Sequence, residues 1–358
     1  MALILLTGGG TAGHVNPNLA LVPSLQQRGW QIAYAGSGAG IERELVQHAG
    51  IPFYHITAGK LRRYFAWQNF SDPFKVLKGV AEAYGLLGKL RPQVVFSKGG
   101  FVAVPVLWAA YLRRVPVVIH ESDYTPGLAN RLALPTAQRV CVTFPETLDY
   151  LGKYALKGIC TGLPIRAELL NGCGDRGREL CQFHDQLPIL LVMGGSTGAQ
   201  AINRAVRGAL PALLAKWQVI HICGKGNLEP SLQARAGYRQ FEYVTADLPD
   251  LLASADLVIS RAGANAIFEL LALQKPHLLI PLPAKSSRGD QILNANSFAK
   301  QGYSLVLAEA HLTPDELVRQ VEFLYQNRHD FLGKMQADVT NKLGAIAQIV
   351  SILDEFLR

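Results

Sequence analysis

The sequence predicts an α/β fold made of two doubly wound domains with parallel sheets. Apolar, β-branched runs alternate with segments of helical period from one end to the other, the pattern of parallel strands covered by helices on both faces. At 358 residues the chain is too long for one ordinary core. It suits two domains of somewhat under about 200 residues each. The two halves also open alike, with a strand, a glycine cluster and a helix: LLTGGGTAGH near the start and LLVMGGSTGAQAIN in the middle.

Taken in order, strands are expected at Leu3–Leu6, Gln31–Ala35, Pro52–Ile56, Val94–Phe96, Val115–His120 and Arg139–Thr143. Asn16 followed by Pro17 is a helix start, a capping residue and then a proline at the first helical position. Between Leu163 and Leu187 the period is lost in a mixture of glycines and charges, which reads as the interdomain linker. The second series runs Ile189–Met193, Gln218–Cys223, Phe241–Val244, Leu257–Ser260, His277–Pro281 and Ser304–Leu307. Helical periodicity fills 335–358, a segment expected to return to the first domain. The boundaries are therefore 1–162 with the terminal helix 344–358, and 163–343. Ligands of open α/β sheets bind at the carboxyl ends of the strands, so both carboxyl edges are expected to line a cleft.

A hydrophobic content of 49% with 34 glycines and 19 prolines describes a folded, enzyme-like chain rather than a disordered one. The five cysteines are scattered, without C-x-x-C or histidines at metal spacing, so neither a zinc site nor a disulfide framework is indicated and a reducing cytosol is the simplest compartment. No run reaches the roughly 18 apolar residues needed to span a bilayer. The best, Val102–Leu112, is cut short by Arg113 and Arg114. The N-terminal apolar run has no basic leader and ends in glycines, so it reads as a strand and not a signal peptide. The chain reads as soluble. The net charge of +8 favours an acidic partner: nucleic acid, an anionic membrane surface or a phosphorylated substrate.

Gly8, Gly10 and Gly13 spell the G-x-G-x-x-G of a dinucleotide site, which also needs an acid at the end of the second strand for the ribose. That strand ends Tyr34-Ala35-Gly36-Ser37-Gly38, no carboxylate comes before Glu42, and no basic residue between Gln31 and Ile41 serves a 2′-phosphate. The nicotinamide reading thus lacks its specificity residue. Three glycine clusters, Gly8–Gly10, Gly99–Gly100 and Gly194–Gly195, each follow a strand and offer backbone N–H groups and a helix dipole to an anion, although tight turns use glycine in the same way. Glu269, on the helix after strand Leu257–Ser260, is either a solvated surface carboxylate or the acceptor of two ribose hydroxyls that the first half lacks.

GGTAGH, SKGGFVAVP, HESDYTPGLAN, TGLPIR, MGGSTGAQAIN, SRAGANAIFEL and DQILNA occur in this order along the whole chain, which by them resembles family 28 of the GT-B glycosyltransferases. The resemblance implies that N-acetylglucosamine passes from UDP-N-acetylglucosamine to the 4-hydroxyl of a lipid-linked N-acetylmuramyl pentapeptide, with inversion, in peptidoglycan precursor synthesis. It also implies a peripheral enzyme on the cytoplasmic face of the plasma membrane and no nucleic-acid partner. For the donor it places Ser196 and its loop at the diphosphate with Thr11, Gly13 and Arg166, and Asn203 on the following helix. The uracil comes near Val244, the ribose on Glu269, and the sugar hydroxyls at Gln291. Gly99, Gly100, Asp123 and Asn130 face the acceptor, with His14 and Glu121. Ala12 stands where the family pattern has glycine, Phe101 where it has tyrosine, Ala103 for serine, Asp123 for asparagine, Thr197 for glutamine and Asp290 for glutamine. Phe101 cannot supply a catalytic hydroxyl.

In such a displacement the acceptor hydroxyl loses a proton as UDP leaves. His14 is the first candidate base, its other reading being a phosphate ligand or helix cap; Glu121 is the rival, its other reading being a carboxylate that holds loop N–H groups. No carboxylate cluster with metal-ligand spacing accompanies the diphosphate loop, so backbone N–H groups, the helix start after Gly198 and Arg166 are expected to meet the leaving charge without a metal or other cofactor. Residues 60–78 set Tyr64, Phe65, Trp67, Phe70 and Phe74 among Lys60, Arg62, Arg63, Lys75 and Lys78. Aromatics amid basic residues suit an anionic lipid interface, and a helix pair with a solvated basic face is the plainer account. Other transferases of this fold, a UDP-sugar epimerase and a non-enzymatic nucleotide-binding subunit are the competing functions.

Overall fold

The computed structural model describes residues 2–10, 12–38, 41–59, 68–184, 186–195, 199–285, 287–342 and 344–357, with side chains at all of these except 12, 41, 68–71 and 338–342. It divides into two compact units, Met1–Arg166 with Lys342–Arg358, and Ala167–Asn341. The first holds strands β1 (Leu3–Thr7), β2 (Gln31–Gly36), β3 (Phe53–His55), β4 (Val94–Ser97), β5 (Val117–Glu121), β6 (Arg139–Val142) and β7 (Gly158–Cys160). Their order is β3-β2-β1-β4-β5-β6-β7. The second holds β8 (Ile189–Met193), β9 (Gln218–Ile222), β10 (Tyr238–Phe241), β11 (Leu257–Ser260), β12 (His277–Leu279) and β13 (Ser304–Val306), in the order β10-β9-β8-β11-β12-β13. Every pairing among these strands is parallel.

The strands read as continuous apolar runs because both faces of each sheet are covered. Side chains alternate between faces, and in the first unit each face has its own core. Leu5, Val95, Val117 and Ile119 point into one, with Val106, Leu107 and Ala110 of the helix Ala103–Leu112. Ile4, Leu6, Val94, Phe96 and Val118 point into the other, against Leu21 and Leu25 of the helix Ala12–Gln27 and Ile349, Val350 and Leu353 of the terminal helix Ala345–Asp354. Asp354 fixes that helix, accepting hydrogen bonds from Trp30 Nε1 and Arg28 at 3.0 Å each.

Four sequence expectations need correction. The first helix is already formed at Ala12, so Asn16 does not cap it and Pro17 lies inside it. The first unit ends at Arg166 rather than 162, because Thr161 and Gly162 donate to the Val142 carbonyl and Leu163 is buried there. The stretch expected to be a linker contains the helix Gly174–Cys181, packed on the helix Leu248–Ser254 of its own unit. Its glycines serve that contact: a Cβ at Gly172 would fall 2.1 Å from the Pro249 oxygen, and one at Gly177 2.3 Å from the Asp250 oxygen. Strand β10 begins three residues before its expected position. It is the edge strand, and Arg239 and Gln240 are only half-buried, which disguises it.

Candidate functional site

In both sheets the strand order reverses beside the first strand, between β1 and β4 and between β8 and β11, and the glycine clusters leave from the carboxyl ends at those points. In the first unit the two clusters touch. Gly100 has φ +86°, and a Cβ there would lie 2.4 Å from the Gly9 oxygen, so only glycine lets the loops meet. The Phe101 ring covers Gly10, a packing role in keeping with its lack of a hydroxyl. Glu42, which the sequence reading passed over, is buried beneath this loop. It accepts from Gly10 N–H at 2.7 Å and from the Ser37 N–H and hydroxyl at 2.6 and 2.5 Å. The Gly10 N–H, which a dinucleotide fingerprint turns toward its pyrophosphate, is thus taken by a carboxylate of the chain itself.

His14, half-buried at the start of the first helix, has its Nδ1 3.0 Å from the Lys98 carbonyl. A carbonyl can only accept, so the proton sits on Nδ1 and the basic lone pair on Nε2. Glu121, 6% exposed, is engaged at both oxygens: Oε1 accepts from Asp123 N–H at 3.0 Å, and Oε2 from Gly127 N–H and Asn130 Nδ2, both at 2.8 Å. This geometry favours the other reading of Glu121, a carboxylate whose two oxygens hold the loop after β5. Asn130, itself buried, lies under Gly99, its Oδ1 3.0 Å from where a Cβ would be.

Beneath these loops Lys98 is 2% exposed, with Nζ 2.6 Å from His120 Nδ1 and 2.5 Å from Ser122 Oγ. His120 Nε2 lies 2.8 Å from the Gly162 carbonyl, which places the proton there and makes Nδ1 the acceptor of the lysine. Burial lowers the Lys98 pKa to about 7 against the opposing pull of Glu121 and Asp123. Burial and the neighbouring lysine push His120 well below its usual range, so its ring is neutral.

The second unit presents a comparable edge. Thr11 of the first loop and Ser196 of the loop after β8 lie outside the described residues. Asn203, which the resemblance assigns to the donor, is 3% exposed, its Nδ2 donating to the Cys223 carbonyl at 2.9 Å and its Oδ1 3.0 Å from His221 Nε2. His221 in turn meets the Tyr238 hydroxyl at 2.8 Å, and burial, with Arg207 nearby, lowers its pKa to about 3. The amide therefore ties helix Gln200–Leu213 to β9. Val244 is half-buried in the loop after β10. Glu269 is half-buried on helix Ala264–Ala272, whose residues Ile267, Phe268, Leu270 and Leu271 fill the core. Gln291 Oε1 accepts from Leu282 N–H at 3.0 Å, while Arg288 pairs with Asp290 at 2.9 Å. Arg261, also not foreseen, is 8% exposed and binds the loops after β12 and β13 together. Its Nη1 donates to the Ile280 and Pro281 carbonyls at 3.0 and 3.4 Å, and its Nη2 pairs with Glu309 at 2.5 Å. Gly13 and Arg166 are both half-buried, Arg166 at the very end of the first unit. Its buried Nε has no partner among the described residues.

Two doubly wound domains, each with glycine loops at its switch point, define the GT-B class of glycosyltransferase fold. The glycosyltransferase family 28 N-terminal domain matches residues 4–142 and the family 28 C-terminal domain residues 189–350. The chain belongs to glycosyltransferase family 28. It is 55% identical over 355 residues, 99% of each chain, to the UDP-N-acetylglucosamine–N-acetylmuramyl-(pentapeptide) pyrophosphoryl-undecaprenol N-acetylglucosamine transferase of Lachnoclostridium phytofermentans. The crystal structure of Acinetobacter baumannii MurG superposes with a TM-score of 0.76 at 28% identity, covering 99% of this chain and 100% of that one. The UDP-GlcNAc 2-epimerase of Neisseria meningitidis shares the fold, with a TM-score of 0.71 at 12% identity over 99% of this chain and 100% of that one.

Proposed function

We infer that the chain transfers N-acetylglucosamine from UDP-N-acetylglucosamine to N-acetylmuramyl-(pentapeptide) pyrophosphoryl-undecaprenol, the glycosylation that completes the lipid-linked disaccharide of peptidoglycan. The observation that carries this reading is the 55% identity sustained over 99% of both chains. The purified protein, given the UDP-sugar and a short-chain lipid-linked muramyl pentapeptide in EDTA, is expected to release UDP and the disaccharide lipid. No product alongside an active control transferase overturns the assignment, and product only when a divalent cation is restored overturns the metal-free part of it.

Within this reading the first unit takes the acceptor and the second the donor. The acceptor 4-hydroxyl gives its proton to His14 Nε2 as it attacks the anomeric carbon from the face opposite UDP, inverting that centre. The leaving diphosphate is met by Arg166 and by the backbone N–H groups of the loop after β8. Glu269 accepts the ribose hydroxyls. Glu269→Ala then removes charge-assisted hydrogen bonds of about 2 kcal/mol, some thirtyfold in donor KM, with acceptor KM unchanged. An unchanged donor KM removes Glu269 from the site.

The lipid chain of the acceptor requires the enzyme to meet a membrane, and no helix of the described residues is long and apolar enough to cross one. Residues 60–67 of the basic and aromatic segment lie outside the described residues, as do the side chains of 68–71. Further along the helix Gln68–Leu90, Phe74 is 74% and Leu77 66% exposed, flanked by exposed Lys75 and Lys78, while Asp72 is buried. Exposed large apolar side chains among lysines support peripheral docking on anionic lipid. Phe74→Asp with Leu77→Asp is expected to abolish sedimentation with anionic vesicles while leaving turnover of a water-soluble acceptor intact. Undiminished sedimentation excludes this face.

A further inference from the structure

Resting on that reading, we propose that Lys98 is a positioning residue of the acceptor site: fixed beneath the loops after β1, β4 and β5, it supplies the buried countercharge that lets Asp123 stand beside an anionic acceptor. The transfer just described gives Lys98 no part. Three elements meet at this one residue. Its carbonyl takes the His14 Nδ1 proton, which sets the tautomer of the candidate base. Its Nζ is held by His120 of β5 and by Ser122 one residue before Asp123. Its own backbone continues into Gly99 and Gly100, the turn that contacts Gly9.

Charge explains why a lysine is kept where an apolar side chain would be easier to bury. Asp123, whose N–H donates to Glu121 Oε1 at 3.0 Å, brings a second carboxylate next to Glu121, in a loop expected to face a pyrophosphate. Two carboxylates without a countercharge repel such an acceptor. The groups facing Lys98 are His120 and Glu121 of β5, Asp123 of the following loop and Cys141 of β6, with His14 contributing through its contact to the lysine carbonyl. His120 is neutral and hydrogen-bonded to Gly162, and burial raises Cys141 to about 12, so the carboxylates are the charges that Lys98 answers. A lysine brought down to about 7 loses its charge as the pH rises through neutrality. Acceptor use should therefore decline on the alkaline side of pH 7, opposite in sense to the rise produced by deprotonating a histidine base.

A double-mutant cycle of Lys98→Met and Asp123→Asn tests the proposal in the full-length protein. Lys98→Met alone is expected to lower kcat/KM for the acceptor by about tenfold, the equivalent of one weakened charge contact, with donor KM unchanged. In the Asp123→Asn background the same change should cost less than about threefold and remove the alkaline decline, because the charge it answered is gone. Equal effects of Lys98→Met in the two backgrounds, or an alkaline limb that survives in the double variant, overturn the proposal. Thermal unfolding of the four proteins reads the same coupling without substrate: the midpoint shift caused by Lys98→Met should be more favourable in the Asp123→Asn background than in the wild type, and equal shifts refute the charge pair. An inactive wild-type protein with coupled midpoints refutes the functional reading and leaves the pair standing.

Discussion

His14 is the first candidate for the acceptor's proton and Glu121 its rival, and their hydrogen-bond partners differ. The Lys98 carbonyl takes the His14 Nδ1 proton, which makes Nε2 the basic nitrogen, whereas both oxygens of Glu121 accept backbone or amide donors. The two residues should therefore fail differently. His14→Gln removes the base and is expected to lower kcat by about 10² to 10⁴ with the unfolding midpoint nearly unchanged. Glu121→Gln turns an acceptor into a donor facing other donors, so its main loss is about 1–3 kcal/mol of stability, with any kinetic effect in acceptor KM. Steady-state kinetics beside thermal unfolding separates the cases. A Glu121→Gln protein that is stable but has lost kcat returns Glu121 to the base role.

At the level of elements, legibility followed how much of a signal lies within a few residues. Strands β8 and β11 are found residue for residue because a buried parallel strand is a continuous apolar run bounded by glycine or a helix start. The glycine loops were equally plain, since strand, turn and helix adjoin in the chain. Strand β7, three residues at a sheet edge, and β10, with polar residues in its middle, carried too little of that pattern. Glu42 and Arg261 could not be assigned, because their roles come from contacts 32 and 19 residues away that only the folded sheets create. Lys98 carried one signal that went unused, a lone charge between a buried strand and a glycine turn. The supposed linker shows the reverse error: the glycines of 163–187 mark close packing, not flexibility. Gly177→Ala should therefore destabilise the second unit, the clash with the Asp250 carbonyl costing about 1–3 kcal/mol against about 1 kcal/mol gained in helix propensity. A midpoint that rises instead would restore the linker interpretation.

Over the whole molecule, the strongly perturbed buried groups act on stability in a common direction below neutrality and against one another above it. His120, His221 and His277 are all lowered by burial, His221 to about 3 and His277 to about 4. A base lowered in the fold binds fewer protons than in the unfolded chain, so stability is complete above the unfolded value near 6.5 and is lost as pH falls toward the folded one. At pH 5 His221 and His277 together forgo about 4 kcal/mol, a large part of an ordinary stability of about 5–15 kcal/mol. Lys98 extends the same slope upward, since between about 7 and its unfolded value the unfolded chain again holds more protons. The acids oppose it: burial raises Cys141 and Cys181 to about 12 and raises Tyr34 and Tyr238, so above about pH 8.5 the unfolded chain loses protons that the fold retains. Stability should thus peak between about pH 7.5 and 9, fall steeply below 6, and decline again at high pH. Unfolding midpoints across pH 4.5–10 measure this curve, and His221→Gln should flatten its acid limb by about one proton. A maximum at pH 5–6 would mean that these histidines are charged in the native protein, and the neutral networks assigned to His120 and His221 would then be wrong.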